Sequence, residues 1–202
     1  IEQRIGVPSK TIQRRPLFEE FTSSTCPPCA SFNNSFFNNF TTTNADQITL
    51  VKYQMNWPGS GDPYYTAEGG VRRNYYGVQG VPELRVDGVG VQTTSSAVNN
   101  AFNQHLANSS FVEVEGFHKL NGTTIEVVAN FEPYMDYTNI RGHIVVFENE
   151  TRDNVGGNGE TSFKHVMMKM IPNAQGTNLN LTNGQLYQIH QTIDLQGTHI
   201  ED

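Results

Sequence analysis

The feature that most constrains this chain is one Cys-x-x-Cys pair in the run Thr25-Cys26-Pro27-Pro28-Cys29, which holds the only two cysteines among 202 residues. The apolar run 16–21 just before the pair predicts a strand. Phenylalanines at helical spacing over residues 30–40 predict a helix just after it. The pair is therefore expected at a helix N-terminus, where free N–H groups and the helix dipole favour a thiolate and should lower the pKa of Cys26.

The spacing of the two cysteines is typical of thiol–disulfide exchange. Cys26, at the loop edge, is predicted to be the exposed attacking sulfur, and the more buried Cys29 is predicted to resolve the mixed disulfide. Because Pro27 and Pro28 have no N–H, Cys29 carries the only backbone donor within the motif for the Cys26 sulfur.

Two other interpretations of the cysteine pair stay open. A structural disulfide would stabilise the fold only weakly, because the loop that it closes is very short. Half a zinc site would need further ligands, but there is no second Cys pair and the six histidines are scattered. We expect neither a metal nor a cofactor.

The charge balance and the hydropathy argue against several classes of partner. A net charge of −7 disfavours binding to nucleic acid or to anionic membrane surfaces. No apolar run approaches the length of a transmembrane helix. Charged residues make up only 16% while Asn, Thr and Gly are abundant, which favours a periplasmic or secreted protein. The chain starts at Ile1, so we expect any export signal or lipid anchor to have been removed.

The order of the predicted elements indicates an α/β domain over residues 1–108, preceded by an N-terminal arm. A strand is predicted at 47–54, a helix at 66–76, a strand opened by Pro82 and ended by an Asp-Gly turn, a return strand, and a last helix at 94–107. The resulting order is β-α-β-α-β-β-α. The loop 55–65 is either a lid or binding loop or an ordinary crossover.

From residue 109 the pattern changes to period-two alternation with turn signals, which predicts an all-β domain over residues 109–202, best described as an immunoglobulin-like sandwich. A hairpin turn is predicted at Asn121-Gly122, and the Gly- and Asn-rich loop 151–160 is predicted to be a flexible connection. The alternative is a calcium site through Asp153 and Glu160, but the loop lacks the alternating acids of a calcium-binding loop. The residues expected to face inward are Val112, Val114, Val127, Ile144, Val146, Val166 and Ile189.

The segment from about Pro16 to Asn108 resembles the thioredoxin fold. The resemblance is carried by the strand into the Cys pair, by Gly80-Val81-Pro82, and by the hairpin with its last helix. It implies a cis Val81-Pro82 bond beside Cys26, where the Val81 backbone would pair with an extended substrate chain. The family's tryptophan before the first cysteine is Thr25 here, and its middle glycine is Pro27. The implied substrate-binding residues are Thr25, Pro27, Val81 and Pro82.

The same resemblance implies a buried acid that accepts a proton from the buried cysteine. Glu20 lies six residues before Cys26, at the position that the family's acid occupies. Strand alternation puts Glu19 and Glu20 on opposite faces, so only one of them can face the site, and we assign Glu20. The alternative is that both are solvated carboxylates at a sheet edge.

Most of the chain resembles the Omp28-related proteins of the Bacteroidetes cell envelope. The resemblance rests on Glu19-Glu20-Phe21-Thr22, on Gly80-Val81-Pro82, and on the His165-Val166 strand followed by Pro172 and Gly176. It implies an α/β thioredoxin-like domain followed by the β-sandwich domain.

Three functions are compatible with these observations, so whether the chain is an enzyme stays open. The first is an envelope or secreted thiol–disulfide oxidoreductase, whose partners are protein thiols and disulfides or an envelope redox protein. The second is a non-catalytic envelope binding or adaptor protein, with a sandwich that meets a partner. The third is a thiol peroxidase, which needs an arginine near Cys26, supplied by Arg72, Arg73 or Arg85.

Overall fold

The computed structural model describes residues 3–5 and 8–199, so the predicted N-terminal arm lies partly outside the described residues. The helices are α1 Pro27–Phe32, a π-helical segment Asn33–Phe37, α2 Asn38–Thr43, α3 Ala67–Tyr76 and α4 Ser95–Leu106. The strands are β1 Gln3–Ile5, β2 Ile12–Gln13, β3 Leu17–Thr22, β4 Thr49–Gln54, β5 Glu83–Val86, β6 Val89–Val91, β7 Ser109–Ser110, β8 Val112–Asn121, β9 Thr124–Pro133, β10 Asp136–Gly142, β11 Ile144–Thr151, β12 Phe163–Ile171, β13 Thr177–Leu181 and β14 Tyr187–Asp194.

The described chain divides into two compact units. The first, here called the cysteine unit, comprises Arg15–Ala107 and Val146–Met168, with His199. The second, here called the β unit, comprises the chain up to Arg14, Asn108–Val145 and Lys169–Thr198. This division differs from the predicted one, in which residues 109–202 form a single second domain. The physical reason is that β12 pairs in parallel with β4, with Val166 opposite Lys52, and so extends the sheet of the cysteine unit.

The cysteine unit is built on a six-stranded sheet of order β11-β12-β4-β3-β5-β6. The predicted β-α-β-α-β-β-α order over its first part is observed. β3 pairs in parallel with β4 and antiparallel with β5, so it lies inside the sheet. Phe18, Leu50 and Leu84 from the sheet share one apolar core with Phe37 and Phe102 from the helices. The core covers one face of the sheet, and the residues beside the cysteines project from that same face.

Helix boundaries follow the expected capping chemistry. The Thr66 hydroxyl accepts the Gly69 N–H at the start of α3, and Gly77 ends that helix with φ of 66°, in the left-handed region. Thr94 caps α4 in the same way, by accepting the Ala97 N–H. None of the helices in the described part of the chain is long and apolar enough to cross a membrane.

The β unit contains two three-stranded antiparallel sheets, β1-β10-β13 and β14-β9-β8. Their apolar residues meet in one core, which includes Ala129 and Ile189 from one sheet and Tyr137 and Leu179 from the other. The predicted turn at Asn121-Gly122 joins β8 to β9. Stacking of two sheets agrees with a sandwich, while the immunoglobulin-like class stays a prediction.

The predicted inward residues of this second region are only partly buried. Val127 and Ile189 are buried as expected. Val114 is 59% exposed, because β8 is an edge strand and every residue from 114 to 121 is exposed. Val166 is fully buried, but it lies in the cysteine unit with Tyr64 and not among the β-unit residues.

Candidate functional site

The cysteine pair begins the helix that follows β3. Cys26 is the N-cap of α1, Pro27 and Pro28 form its first turn, and Cys26 and Cys29 are joined by a disulfide. The Cys29 N–H donates to Cys26 Sγ at 3.1 Å, and the Ala30 N–H donates to the Cys26 carbonyl at 3.2 Å. The predicted backbone donor for the first sulfur is therefore confirmed.

Both sulfurs are closed off in this disulfide form. Cys26 is 1% exposed and Cys29 is 0% exposed, whereas Pro27 and Pro28 are exposed. The prediction of an exposed Cys26 is thus wrong for the oxidised protein. One reason is the Val81 carbonyl oxygen, which lies 3.7 Å from Cys26 Sγ. A disulfide sulfur has no hydrogen to donate, so this approach is a van der Waals contact.

The Val81-Pro82 peptide bond is cis, and the Val81 carbonyl contacts the Cys26 sulfur, as predicted. Both residues are half-buried. The other predicted substrate-binding residues differ in environment: Pro27 is exposed, while the half-buried Thr25 donates its hydroxyl to the Pro58 carbonyl at 2.7 Å. The structure thus brings all four of these residues to the edge of the cysteine pair.

The loop 55–65 forms one wall of the site. The Asp62 carboxylate is buried and accepts the Ser24 N–H at 2.8 Å, next to the cysteines. It also accepts the Tyr64 N–H at 2.8 Å and the side-chain amide of Asn154 at 3.3 Å. These contacts fix the loop against the segment that precedes the cysteines, and both the lid-or-binding-loop and the crossover interpretations stay open.

A second loop, residues 152–162 and here called the cap loop, lies against the cysteine segment. The Asn158 N–H donates to the Ser24 carbonyl at 3.0 Å, and the Asn158 side-chain amide donates to the carbonyls of Ser23 at 3.2 Å and Cys26 at 3.3 Å. At Gly156 a Cβ would lie 2.5 Å from Ser24 Oγ, so only glycine allows this approach. The prediction of a flexible connection is therefore wrong, because these contacts pin the loop to residues far away in sequence.

Glu19 and Glu20 project from opposite faces of β3, and both are buried. The alternative of two solvated edge carboxylates is therefore wrong, because β3 is an interior strand. Glu19 faces α3, where Arg72 binds it at 2.6 Å and the hydroxyls of Tyr53 and Tyr76 donate to it at 2.9 and 2.5 Å. Burial, together with the Glu19 charge, raises the pKa of both tyrosines, so they stay protonated as donors.

Glu20 faces the other side of the sheet, towards the helix that carries the cysteines. The Lys52 ammonium lies 2.8 Å from Glu20 Oε2, and the two side chains are 3% and 0% exposed. This approach is an ion pair without hydrogen-bond geometry, and neither carboxylate oxygen of Glu20 has a hydrogen-bond partner among the described residues. Lys52 donates instead to the side-chain carbonyls of Asn33 at 2.9 Å and Asn38 at 3.2 Å.

A third buried carboxylate, Glu160 of the cap loop, joins this group. It is 5% exposed and accepts the Asn158 side-chain amide at 2.7 Å and a hydrogen bond from the Asn33 side chain. Burial raises the pKa of Glu160, the Glu20 charge raises it further, and the Asn158 and Asn33 donors and the Lys52 charge oppose the rise. The sequence indicated Glu160 only as a candidate calcium ligand, because nothing in a Gly- and Asn-rich loop indicates which distant helix it will meet.

His165 on β12 lies close enough to feel the Lys52 charge. Burial lowers the pKa of His165, and Lys52 and Lys164 lower it further, so the imidazole stays neutral near neutral pH. Its Nδ1 atom is buried without a hydrogen-bond partner in the described part of the chain. His165 therefore adds no positive charge to the buried group.

An open groove of about 850 Å³ runs beside the cysteine pair. Its lining includes Pro27, Pro28, Phe32, Phe36, Pro82 and Thr94. Every residue that lines it is a proline, phenylalanine, serine or threonine, so no ionisable side chain faces its interior.

The three arginines considered for a peroxidase have other partners. Arg72 binds Glu19, Arg85 binds Glu83 at 2.6 Å, and Arg73 donates to the Val78 carbonyl at 2.9 Å. Within the described residues, no group of three His, Cys, Asp or Glu side chains is placed to hold a metal ion.

The comparisons with known proteins bear on the fold and not on the chemistry. No family model matches this chain, and no curated protein matches it. The X-ray crystal structure of protein AGR_C_4864 from Agrobacterium tumefaciens is similar, with a TM-score of 0.56 over 91% of this chain and 81% of that one. The sequences are 17% identical, so the similarity is one of fold alone. Any functional conclusion therefore rests on the geometry of the site.

Proposed function

We propose that this protein is a cell-envelope or secreted thiol–disulfide oxidoreductase that acts on protein thiols and disulfides through Cys26 and Cys29. The observation that carries the proposal is the 3.1 Å hydrogen bond from the Cys29 N–H to Cys26 Sγ at the start of a helix. A thiolate at that position gains a backbone donor and the helix dipole, and thiolate is the reacting form.

A thioredoxin-like arrangement of the cysteine unit is part of the same proposal. Its support is the observed element order and the Val81 carbonyl at 3.7 Å from Cys26 Sγ. The resemblance to Omp28-related proteins supports the envelope location.

The exchange proceeds in two steps. The Cys26 thiolate attacks one sulfur of the substrate disulfide, a Cys26–substrate disulfide forms, and the first substrate sulfur leaves as a thiolate and takes a proton from solvent. Cys29 then loses its proton and attacks Cys26 Sγ, which releases the second substrate sulfur. The substrate gains two electrons and the protein is oxidised; the reverse sequence oxidises a dithiol substrate.

The groove beside Pro82 favours an extended, uncharged segment as substrate. Val81 offers its backbone at the edge of the cysteine pair, and the lining of prolines, phenylalanines and hydroxyls gives no partner to a charged side chain. A charged segment entering the groove would lose hydration without an opposite charge to replace it.

A second candidate is a non-catalytic envelope adaptor, and the burial of the cysteines favours it. With Cys26 only 1% exposed, a substrate must first displace what covers the sulfur. An adaptor needs no such movement, because it would use the cysteine unit as a scaffold.

Trapping of a mixed disulfide tests the proposal. Cys29→Ser should accumulate a covalent adduct between Cys26 and a disulfide-bonded peptide, because the resolving sulfur is absent, whereas Cys26→Ser should form none. If Cys29→Ser in the reduced form yields no adduct under conditions that label an unfolded control, the adaptor is the better description.

A further inference from the structure

We propose that β8 is the contact surface of a homodimer, in which two copies of this chain join their β8 strands antiparallel to each other about a two-fold axis at Phe117. The sheets β14-β9-β8 of the two copies would then form one continuous six-stranded sheet. The inference concerns the β unit and goes beyond the proposed function, because it does not depend on the cysteines.

The outer side of β8 has no strand beside it in the described part of the chain. β8 pairs with β9 over its whole length, Val112–Asn121, in one register without a bulge, and the sheet order places it at the edge. Residues of an antiparallel strand direct their backbone N–H and C=O groups alternately to one side and to the other. Half of these groups in β8 therefore point away from β9, where another strand can bind them.

The β8 edge also exposes large apolar side chains. Val114, Phe117 and Leu120 are 59%, 58% and 49% exposed. Because side chains alternate along a strand and Leu120 lies opposite Ile125, Val114 and Leu120 project from the face of the sheet that carries the buried Ile125 and Ala129 of β9. The apolar face of the sheet thus continues to its edge, and a further strand there would cover it.

The backbone geometry limits how two copies of β8 can pair. Because alternate residues carry the outward groups, an antiparallel pair must match outward residues with outward residues. In a two-fold pair of identical strands, each residue and its opposite are therefore an even number of positions apart. The axis then passes through one residue, which faces its own copy.

An axis at Phe117 makes the exposed side chains of the strand self-complementary. It puts Glu115 opposite Lys119 of the second copy, and Val114 opposite Leu120, while the two Phe117 rings face each other. Opposite charges and aromatic rings are among the cross-strand pairs that stabilise a sheet. A shift by two residues in either direction would put the Phe117 ring opposite Glu115 or Lys119 instead.

The two charged side chains of this register are available to a second copy. Glu115 and Lys119 are exposed, and neither has a hydrogen bond or an ion pair with the other described residues. Glu126 lies opposite Lys119 on β9, but it is bound by His190 at 2.8 Å. A second copy therefore offers each charge an opposite charge that its own chain does not supply.

Charge reversal tests the register. Sedimentation equilibrium of the oxidised wild type at a series of concentrations should show a particle of twice the mass of the chain. Glu115→Lys puts two ammonium groups opposite each other, and Lys119→Glu puts two carboxylates opposite each other, so each should raise the dimer dissociation constant by about tenfold. The double variant restores opposite charges and should return the dissociation constant to about the wild-type value.

Asp46→Lys is the matched control for the charge reversals. It makes the same change of charge at an exposed residue in the turn after α2, in the cysteine unit. At physiological ionic strength a charge far from the contact is screened, so the dissociation constant should stay within about twofold of the wild-type value.

A cysteine at the axis gives a second readout. Phe117→Cys should form a disulfide-linked dimer under mild oxidation, because the two copies of residue 117 lie opposite each other at a spacing that a disulfide spans. Val114→Cys should form none, because residue 114 faces residue 120. Cys26 and Cys29 are already joined in the oxidised protein, and peptide mass spectrometry identifies the new link.

Three results would overturn the inference. A wild type that stays monomeric at every concentration would leave the β8 edge to a partner of another kind. A dimer that tolerates both charge reversals, or equal cross-linking of Phe117→Cys and Val114→Cys, would place the contact on another surface. None of these results bears on the proposed function, which the trapping of a mixed disulfide tests separately.

Discussion

Lys52 Nζ lies 2.8 Å from Glu20 Oε2, with both side chains almost fully buried on the face of the sheet that meets the cysteine-bearing helix. The parallel register of β3 and β4 puts the two residues directly opposite each other. The pair therefore lies in the core of the unit that carries the cysteines.

Removal of one partner of this pair should destabilise the fold strongly. Lys52→Met leaves Glu20 without an opposite charge in the core, which typically costs about 3–5 kcal/mol of unfolding free energy. The double variant Glu20→Gln with Lys52→Met should recover much of that loss. Denaturant unfolding measures the stability of the wild type, the single variant and the double variant. The control Lys164→Met removes one partner of a half-exposed ion pair with Glu150 and should change the free energy of unfolding little. If Lys52→Met were as stable as Lys164→Met, the Glu20–Lys52 pair would not be buried as described.

Glu20→Gln should slow the exchange without blocking the first attack of Cys26. The resemblance to the thioredoxin fold predicts that Glu20 accepts the proton that Cys29 loses, and a glutamine amide cannot take that proton. The substitution should therefore lower the rate of the resolving step. Two-phase release of a coloured thiol from a chromophoric aromatic disulfide measures both steps in one experiment. A slower first phase with a normal second phase would assign Glu20 a role at Cys26 instead.

The stability of the protein should depend on pH through Glu160. Its pKa is raised by burial in the folded state, so the folded protein binds this proton more tightly than the unfolded chain. The contribution of this group is fully present below the ordinary value of 4.5 and is lost as pH rises through the folded value. Wild type should therefore lose stability relative to Glu160→Gln as pH rises from acid towards neutral, in denaturant unfolding at a series of pH values. A constant difference between the two proteins over that range would contradict a raised pKa.

Gly156→Ala should loosen the cap loop. The added Cβ would lie 2.5 Å from Ser24 Oγ and 2.7 Å from the Ser24 backbone, so one of the two segments must shift. Overpacking of this kind typically costs about 1–3 kcal/mol. The disulfide should become easier to reach, and its reduction by a small dithiol should accelerate. Gly116→Ala, where nothing lies within 4 Å, is the control. Equal reduction rates in both variants would mean that the loop does not cover the pair.

The local features of the site were largely visible in the sequence. The helix start at Cys26 and the Cys29 donor follow from short-range chemistry, because proline and helix capping act over a few residues. The contact of Val81-Pro82 with Cys26 joins residues far apart in sequence, and it was predicted from the resemblance to the thioredoxin fold. The burial of Glu20 was predicted from the resemblance, because the thioredoxin family carries a buried acid at this position. Its partner Lys52 was also readable in principle, as a lysine in the middle of an apolar strand.

The features that were missed depend on contacts between distant parts of the chain. The alternation of residues 163–170 predicted a strand but could not tell which sheet it joins, and β12 pairs with β4 of the cysteine unit. The glycines and asparagines of the cap loop predicted flexibility, although Gly156 and Asn158 are what allow its close approach to Ser24. The burial of Cys26 was missed as well, because the Val81 carbonyl that lies against its sulfur comes from a distant part of the chain.

The reactivity of Cys26 in the reduced protein tests the central claim most directly. Alkylation by iodoacetamide near neutral pH, followed by peptide mass spectrometry, should label Cys26 first and nearly exclusively, at a rate above that of a free cysteine of pKa about 8.5. The Cys29 N–H at 3.1 Å and the start of α1 are the physical reason, because both stabilise a thiolate at that sulfur. Labelling of Cys26 no faster than a free cysteine, or equal labelling of Cys29, would contradict the account and leave the cysteine unit as a scaffold.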